Sequence, residues 1–238
     1  MDITTQFTDL RLHGMHRRWQ ALTETRQHLD LSLSDGLELL LEAEAEDRDN
    51  RRFQRLARNA RFRYQASIEE LRMDASKGMD KTLISRLATG DYLRRGESVL
   101  VTGATGCGKS FLASALGNRA CMQGYKVAYF NLQKLLIKIK MARLEGTNLK
   151  FFEKLAKTDL LILDDFGLTT FGQQHCLDLM ELTEDRHARR ATIIASQLPV
   201  ASWYDLFAEE TIADAILDRL IHTSHRVELT GESLRKKL

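Results

Sequence analysis

The spacing of apolar positions divides the chain into two regions. In residues 1–70 apolar side chains recur every three or four positions, which predicts amphipathic helices. One helix is predicted around Leu12, Met15 and Trp19, and a longer one from near Ser34 through the charged stretch that follows. Large apolar residues are sparse in this region, so we expect these helices to depend on packing against neighbours.

From about residue 82 onward, short apolar runs alternate with helical patterns. Runs without polar alternation are typical of strands in a parallel sheet that helices cover on both faces. The sequence therefore predicts an α/β fold over 82–238, with a parallel sheet sandwiched by helices, joined by a linker at 71–81 to a small all-α domain at 1–70. The predicted strands are SVLVTG (98–103), KVAYFN (126–131), LLILDD (160–165), ATIIAS (191–196) and RVELT (226–230).

Composition narrows the class of protein. The apolar fraction of 43% supports a sizeable core, and the net charge of +2 means that affinity for nucleic acid requires local clustering of basic residues. The three cysteines are far apart and odd in number, which favours a reducing cytoplasm over a disulfide framework. No membrane partner is expected, because no apolar run reaches spanning length and the N-terminal residues lack the pattern of a signal peptide. The seven histidines show no metal-binding pattern.

A phosphate-binding loop follows the first predicted strand. Gly103, Gly108, Lys109 and Ser110 fit the spacing G-x-x-x-x-G-K-[ST], with a strand before the loop and a helix after it. Backbone N–H groups in such a loop bind phosphate oxygens, the lysine reaches the β- and γ-phosphates, and the serine binds Mg²⁺. We assign no chemistry to Cys107. The predicted nucleotide-binding residues are Gly103, Ala104, Thr105, Gly106, Cys107, Gly108, Lys109, Ser110 and Phe111.

Two further strand ends carry candidate catalytic groups. The run at 160–165 ends in Asp164 and Asp165, an arrangement that is costly unless a cation compensates it. Asp164 is predicted to hold Mg²⁺ together with Ser110, and Asp165 to orient the attacking water. The end of the run at 191–196 is expected beside Asp164, so that Ser196 or Gln197 touches the γ-phosphate or the water. For each strand end, the alternative is a turn without a catalytic role.

These motifs resemble those of the AAA+ ATPases, P-loop NTPases in which a parallel sheet is flanked by helices. Within them the resemblance is closer to the IstB-like transposition helper ATPases, which are related to the DnaC-type helicase loaders. It implies ATP and Mg²⁺ as cofactors, a helical or ring-like homo-oligomer, and duplex DNA and an IstA-type transposase as partners in the bacterial cytoplasm, at the nucleoid. The segments that carry it are NARFRYQASIEEL, LATGDYLRRGESVLVTGATGCGKS, LAKTDLLILDDFG, IIASQLPVASWYD and IADAILDRLIHTSHRVELTGESLRK.

The resemblance also implies how ATP sites are completed. By motif position Arg219 resembles the arginine finger that a subunit contributes to its neighbour's site; the alternative is an ion pair with Asp214 or Asp218 on its own helix. A full AAA+ lid is not expected, because nine residues follow Leu229. Asp165 stands where many AAA+ enzymes have Glu, which implies slow hydrolysis.

An arginine-rich stretch is the candidate DNA-binding surface. Residues 48–63 hold seven arginines and one aspartate, and spacings of three and four place several of them on one helical face. Such a stripe would neutralise phosphates without reading sequence, although the acids that precede it also fit a solvated charged face. A second basic helix follows the strand at 126–131, and Arg235–Lys237 are expected to form a frayed tail. The predicted DNA-binding residues are Arg48, Arg51, Arg52, Arg55, Arg58, Arg61 and Lys138.

The sequence thus predicts an ATP-dependent regulator of transposition that oligomerises on duplex DNA, remodels it and stimulates a transposase. Three alternatives stay open at this point. A helicase loader would bind single-stranded DNA and a replicative helicase. A small-molecule kinase would use the same phosphate loop but needs an arginine-rich lid. A binding-only switch would use ATP to join subunits without turnover.

Overall fold

The computed structural model describes residues 2–230 and divides the chain into two compact units, with the division between Arg55 and Leu56. This division lies within the third helix and therefore earlier in the chain than the predicted linker at 71–81. The predicted basic tail at Arg235–Lys237 lies outside the described residues, as does any lid beyond Thr230. Among the described residues, none of the helices has both the length and the apolar character needed to span a membrane.

The first unit consists of helices, as the apolar spacing predicts. They are α1 (Ile3–Asp9), α2 (His13–Glu24) and the part of α3 (Leu33–Ala60) that precedes residue 56. Gly14 allows α2 to approach α3 closely, because a Cβ at Gly14 would lie 2.2 Å from the carbonyl oxygen of Ala43.

A buried carboxylate joins these two helices. The Oε2 atom of Glu44 accepts hydrogen bonds from the amides of Gly14 at 2.8 Å and Met15 at 3.3 Å, in the first turn of α2. Leu12, the residue that precedes α2, has no side chain able to cap the helix, so Glu44 satisfies these amides from the neighbouring helix. Burial alone would raise the pKa of Glu44, but the hydrogen bonds from Arg48 and from these two amides lower it below its ordinary value.

In the second unit, five strands of residues 56–230 form one parallel sheet, in the order β2-β3-β4-β1-β5. This confirms the predicted α/β class. The order places β4 between β1 and β3, so the carboxyl ends of these three strands meet at one edge of the sheet. The elements are α4 (Lys81–Ala88), α5 (Asp91–Arg95), β1 (Ser98–Gly103), α6 (Lys109–Met122), β2 (Val127–Asn131), α7 (Leu132–Leu144), α8 (Asn148–Ala156), β3 (Leu160–Phe166), α9 (Gln173–Arg186), β4 (Ala191–Ser196), α10 (Glu210–Ile221) and β5 (Ser224–Leu229).

The core of this unit is the sheet itself and the helices packed on it. Leu161, Ile162 and Ile193 are fully buried, which explains why β3 and β4 are apolar on both faces. At the end of β3, the ring of Phe166 packs against that of Trp203 with centroids 4.6 Å apart. The indole Nε1 of Trp203 donates to the carbonyl of Leu198 at 3.1 Å, so this buried polar group is satisfied and the turn after β4 is held in place.

The predicted linker packs against the end of β5. Thr230 donates its backbone N–H to the carbonyl of Lys77 and its hydroxyl to the carbonyl of Ser76, both at 3.0 Å. Gly78 adopts φ +79°, and a Cβ there would lie 1.8 Å from the carbonyl oxygen of Glu228. Residues 71–81 are therefore an integral part of the second unit.

Candidate nucleotide-binding site

The loop between β1 and α6 has a backbone that only glycine adopts easily. Gly103, Gly106 and Gly108 have φ values of +143°, +86° and +102°. At Gly103 a Cβ would lie 2.1 Å from the carbonyl oxygen of Leu229. Gly108 is the N-cap of α6 and offers no capping side chain, so the first N–H groups of the helix are available to an anion.

Lys109 lies inside this loop. Its side chain is nearly buried, and Nζ donates to the carbonyls of Gly103 at 2.7 Å and Ala104 at 2.8 Å. An ammonium group has three N–H donors, so one remains for a phosphate oxygen. The loop therefore combines a fixed positive charge with backbone donors, as phosphate binding requires.

Ser110 and Asp164, the predicted Mg²⁺ ligands, lie together. Ser110 Oγ donates to Asp164 Oδ1 at 3.0 Å, and the same oxygen accepts the N–H of Asp165 at 2.9 Å. The hydroxyl of Tyr129 donates a short hydrogen bond to Asp164 Oδ2, and burial together with this carboxylate raises the pKa of the tyrosine. Asp164 is 1% exposed, so its desolvated carboxylate is stabilised by these donors and by nearby cations.

Asp165 lies at the open side of the same strand end. Its backbone is in the left-handed region at φ +59°, which aspartate tolerates better than most residues. Its Oδ2 atom accepts from Asn131 Nδ2 at 2.8 Å and from Arg63 Nη1 at 3.2 Å. Arg63 Nη1 is also 3.2 Å from Asp164 Oδ2, so one guanidinium bridges both acids.

Arg63, Asn131 and Tyr129 contact Asp164 or Asp165, but the sequence analysis does not place them in the site. Arg63 belongs to the arginine-rich stretch at 48–63, but α3 ends at Ala60 and Arg63 contacts the acids instead. Asn131 ends β2 and pairs in register with Asp164, so the polar residue that closes the run at 126–131 was an available signal. Tyr129 lies within an apolar run and gave no signal of its own.

The donor set fits a hard divalent cation. Hydroxyl and carboxylate oxygens are the ligands that Mg²⁺ prefers, and it is usually held by one or two carboxylates together with nucleotide phosphates. Within residues 2–230 no group of three or more His, Cys, Asp or Glu side chains is placed to hold a metal ion. A cation bound by Ser110 and Asp164 would take its remaining oxygens from water and from the phosphates of a nucleotide.

Ser196, the last residue of β4, and Gln197, which follows it, make contacts with different parts of the protein. Ser196 is fully buried, and its hydroxyl donates to the carbonyl of Phe166 at 2.8 Å while accepting the N–H of Leu198 at 3.1 Å. Gln197 instead accepts a hydrogen bond from Thr105 of the phosphate loop at 2.7 Å. Gln197 thus contacts the nucleotide site directly, whereas Ser196 shapes the strand end.

Arg219 forms an ion pair with Glu184 and does not contact Asp164 or Asp165. Its Nη2 atom lies 2.5 Å from Glu184 Oε2 on α9, and its Nη1 donates to the carbonyl of Ala215 at 2.8 Å. The ion pair is therefore between helices and involves neither of the two aspartates considered on its own helix. None of these contacts of Arg219 is with the phosphate loop or the acids of its own chain.

In the first unit, two arginines of the stripe form ion pairs with buried acids. Arg48 Nε is 2.8 Å from Glu44, and Arg51 Nε is 2.6 Å from Asp47, which also pairs with Arg17. The hydrogen bond from Arg17 is the main reason that the pKa of Asp47 is lowered. A groove of about 440 Å³ is lined by Leu10, Arg11, Arg48, Arg51, Arg52 and Arg55.

The three other predicted DNA-binding residues belong to the second unit. Arg58 is in the last turn of α3, and Arg61 follows that helix with φ +58°. Lys138 lies on α7, where its ammonium is 5.3 Å from the centre of the Phe130 ring.

A sequence model of the IstB-like ATP binding protein family matches residues 5–238. The chain belongs to this family. An insertion sequence ATP-binding protein of Sinorhizobium fredii is 40% identical over 225 residues, which cover 94% of this chain and 92% of that protein. The ATP-binding protein of insertion sequence IS1162 from Pseudomonas fluorescens is 39% identical over 196 residues, which cover 82% and 85% of the two chains.

Solved structures share the fold of the IstB-like chain. The DnaC helicase loader superimposes with a TM-score of 0.62 at 18% identity, over 70% of this chain and 98% of that one. AMPPCP-bound DnaA from Aquifex aeolicus superimposes with a TM-score of 0.61 at 18% identity, over 74% and 53%. The family and the AAA+ fold confirm the predicted resemblance, and they make the chain an IstB-type, ATP-binding P-loop ATPase.

Proposed function

We propose that this IstB-type ATPase regulates transposition: with ATP and Mg²⁺ bound it assembles on duplex DNA, remodels that DNA and stimulates a partner transposase. One observation carries the nucleotide part, namely the 3.0 Å contact of Ser110 with Asp164 beside a loop that holds Lys109. The names of the relatives, which place them in insertion sequences, support the transposition context. We expect the protein to act in the cytoplasm, at the nucleoid.

In the proposed reaction each residue has a separate task. The loop amides and Lys109 would hold the β- and γ-phosphates, and Ser110 and Asp164 would hold Mg²⁺, which supplies positive charge against the phosphates. Asp165 accepts a hydrogen bond from the attacking water, and Asn131 fixes the orientation of that carboxylate. Gln197, which accepts a hydrogen bond from Thr105 of the loop, would contact the γ-phosphate.

We propose that a second subunit completes the site. Arg219 is on α10, one-quarter exposed, and is held by Glu184 rather than by groups of the phosphate site. In an oligomer its guanidinium would meet the neighbour's γ-phosphate, where an arginine stabilises the charge that develops on phosphoryl transfer. Subunit assembly and hydrolysis would then be coupled through this residue.

The arginine groove of the first unit is the proposed primary DNA contact. Glu44 and Asp47 fix Arg48 and Arg51 in place, which lowers the entropy cost of binding a phosphate backbone. The groove presents five arginines and no acid among its lining residues, so it favours phosphates of any sequence. Arg58, Arg61 and Lys138 are proposed as further contacts from the second unit.

A helicase loader is the second candidate, favoured by the superposition on the DnaC helicase loader. The two functions differ in the nucleic acid they prefer. Binding of the full chain to duplex and to single-stranded DNA of equal length is compared at matched salt, with Mg²⁺ and a non-hydrolysable ATP analogue. Tighter binding to the duplex, together with stimulation of strand transfer by an IstA-type transposase, supports our proposal. Preference for the single strand without such stimulation supports the loader.

A further inference from the structure

Residues 62–66, which we call the strap, lie across helix α6 of the phosphate loop. Phe62 packs on Gly117, where a Cβ would lie 2.5 Å from the Phe62 ring, and its ring meets Tyr129 edge-on with centroids 6.3 Å apart. The ring of Tyr64 is 6.2 Å from that of Phe111. The strap is thereby attached to the helix whose first residues are Lys109 and Ser110.

Arg63 lies in the middle of the strap, between one contact with α6 at Phe62 and another at Ala66. Ala66 accepts a hydrogen bond from Asn118 Nδ2 on α6 at 3.0 Å, and Phe62 is packed as described. Between them, Arg63 extends to the strand end and places Nη1 3.2 Å from both Asp164 and Asp165. Its guanidinium also lies 5.7 Å from the centre of the Tyr64 ring.

Arg63 occupies the place of a counter-ion. Asp164 is almost fully buried beside a second carboxylate, so the pair is stabilised when a cation lies next to it. A divalent cation bound by Ser110 and Asp164 would supply that charge and would repel the guanidinium. Moreover, Asp165 Oδ2 already accepts from both Asn131 and Arg63, so loss of Arg63 frees an acceptor for water.

We propose that Arg63 is a removable counter-ion of the acid pair: it holds the strap closed on α6 without nucleotide, and Mg²⁺-ATP releases it. Arg63 is thus a positioning residue for Asp165. Because only Arg61 separates the strap from α3, its release removes a constraint at the carboxyl end of that helix, which supplies four of the five arginines of the groove. The proposal rests on the assignment of the ATP and Mg²⁺ site.

The test uses trypsin on the full chain and follows cleavage of the Arg61–Phe62 bond by mass spectrometry. Cleavage after Lys157, which directly follows α8 and whose side chain is 76% exposed, serves as the internal reference. With Mg²⁺ and a non-hydrolysable ATP analogue, relative cleavage at the strap rises up to about fivefold, the effect of losing a partly exposed ion pair. Unchanged or slower cleavage, while a fluorescent analogue shows that nucleotide is bound, overturns the proposal.

Variants test the same point without nucleotide. Arg63→Ala is expected to raise cleavage at the strap up to about fivefold in the apo protein. Arg63→Lys keeps a charge near the acids and is expected to lie between this variant and the wild type. Arg72→Ala, at an exposed arginine further along the chain, is the matched control and leaves cleavage unchanged.

The magnesium requirement gives an independent readout. Because no guanidinium has to be displaced, Arg63→Ala should lower the Mg²⁺ concentration for half-maximal analogue binding, by up to about fivefold. A higher requirement, or apo cleavage equal to that of the wild type, refutes the counter-ion role. If no variant and no wild-type protein binds the analogue, the proposed function fails, and the apo cleavage result still decides the role of Arg63 in holding the strap.

Discussion

Asp165→Asn separates nucleotide binding from hydrolysis. The substitution keeps the size of the side chain but replaces a carboxylate, whose Oδ2 accepts from Asn131 and Arg63, with an amide. The amide of asparagine keeps one oxygen acceptor, but its nitrogen cannot accept a hydrogen bond and the group cannot take up a proton from the attacking water. A positioned base of this kind contributes about 10²–10⁴ in rate, which corresponds to about 2.7–5.4 kcal/mol in the barrier. We expect kcat to fall by that factor.

The assay measures DNA-stimulated phosphate release together with the affinity for a fluorescent ATP analogue. Affinity should stay close to that of the wild type, because the loop, Lys109, Ser110 and Asp164 are unchanged. Asp205→Asn, at an exposed acid in the turn after β4, is the control and should leave both quantities unaltered. If Asp165→Asn retains wild-type turnover, then Asp165 does not orient the water and the assignment of the strand end is wrong.

Three further predictions concern the loop, the subunit contact and the helical unit. Gly103→Ala should abolish analogue binding and lower the melting temperature, since φ is +143° and the added Cβ would lie 2.1 Å from Leu229; unchanged binding would contradict the loop geometry. Arg219→Ala should lower DNA-stimulated turnover by about 10³-fold or more while each subunit still binds the analogue, and equal turnover would exclude a finger role. Glu44 and Asp47 have pKa values below their ordinary values of 4.5 and 3.8, so their stabilisation is complete above pH 4.5 and is lost as the pH falls through the lowered values. Acid titration of helicity should show this loss, and Asp47→Asn should reduce it; a titration that is identical in the variant would contradict the assigned pKa shift.

The regular part of the second unit could be predicted from local pattern alone. Each of the five strand runs coincides with an observed strand to within two residues at either end, because a strand buried on both faces must be apolar throughout. The phosphate loop was equally predictable, since its glycines are required by backbone geometry at Gly103, Gly106 and Gly108. Both signals are local in sequence.

The residues that sequence could not place are those fixed by long-range contacts. Arg63 belongs to the arginine-rich stretch at 48–63, but α3 ends at Ala60 and Arg61 adopts a positive φ, which turns the chain toward the acids. Tyr129 is indistinguishable from a core residue until β2 pairs with β3. Glu44 precedes the arginines like any solvated acid, and its burial depends on the close approach of α2 at Gly14.

The central claim is that ATP binding at Lys109 and assembly on DNA are one event. It is tested most directly by mass photometry of the full chain with Mg²⁺, a non-hydrolysable ATP analogue and duplex DNA, each omitted in turn. We predict large oligomers only when all three are present, and none for Lys109→Ala. Oligomers of Lys109→Ala equal to those of the wild type, or a wild-type protein that stays in its smallest form with every component at saturation, would contradict the account.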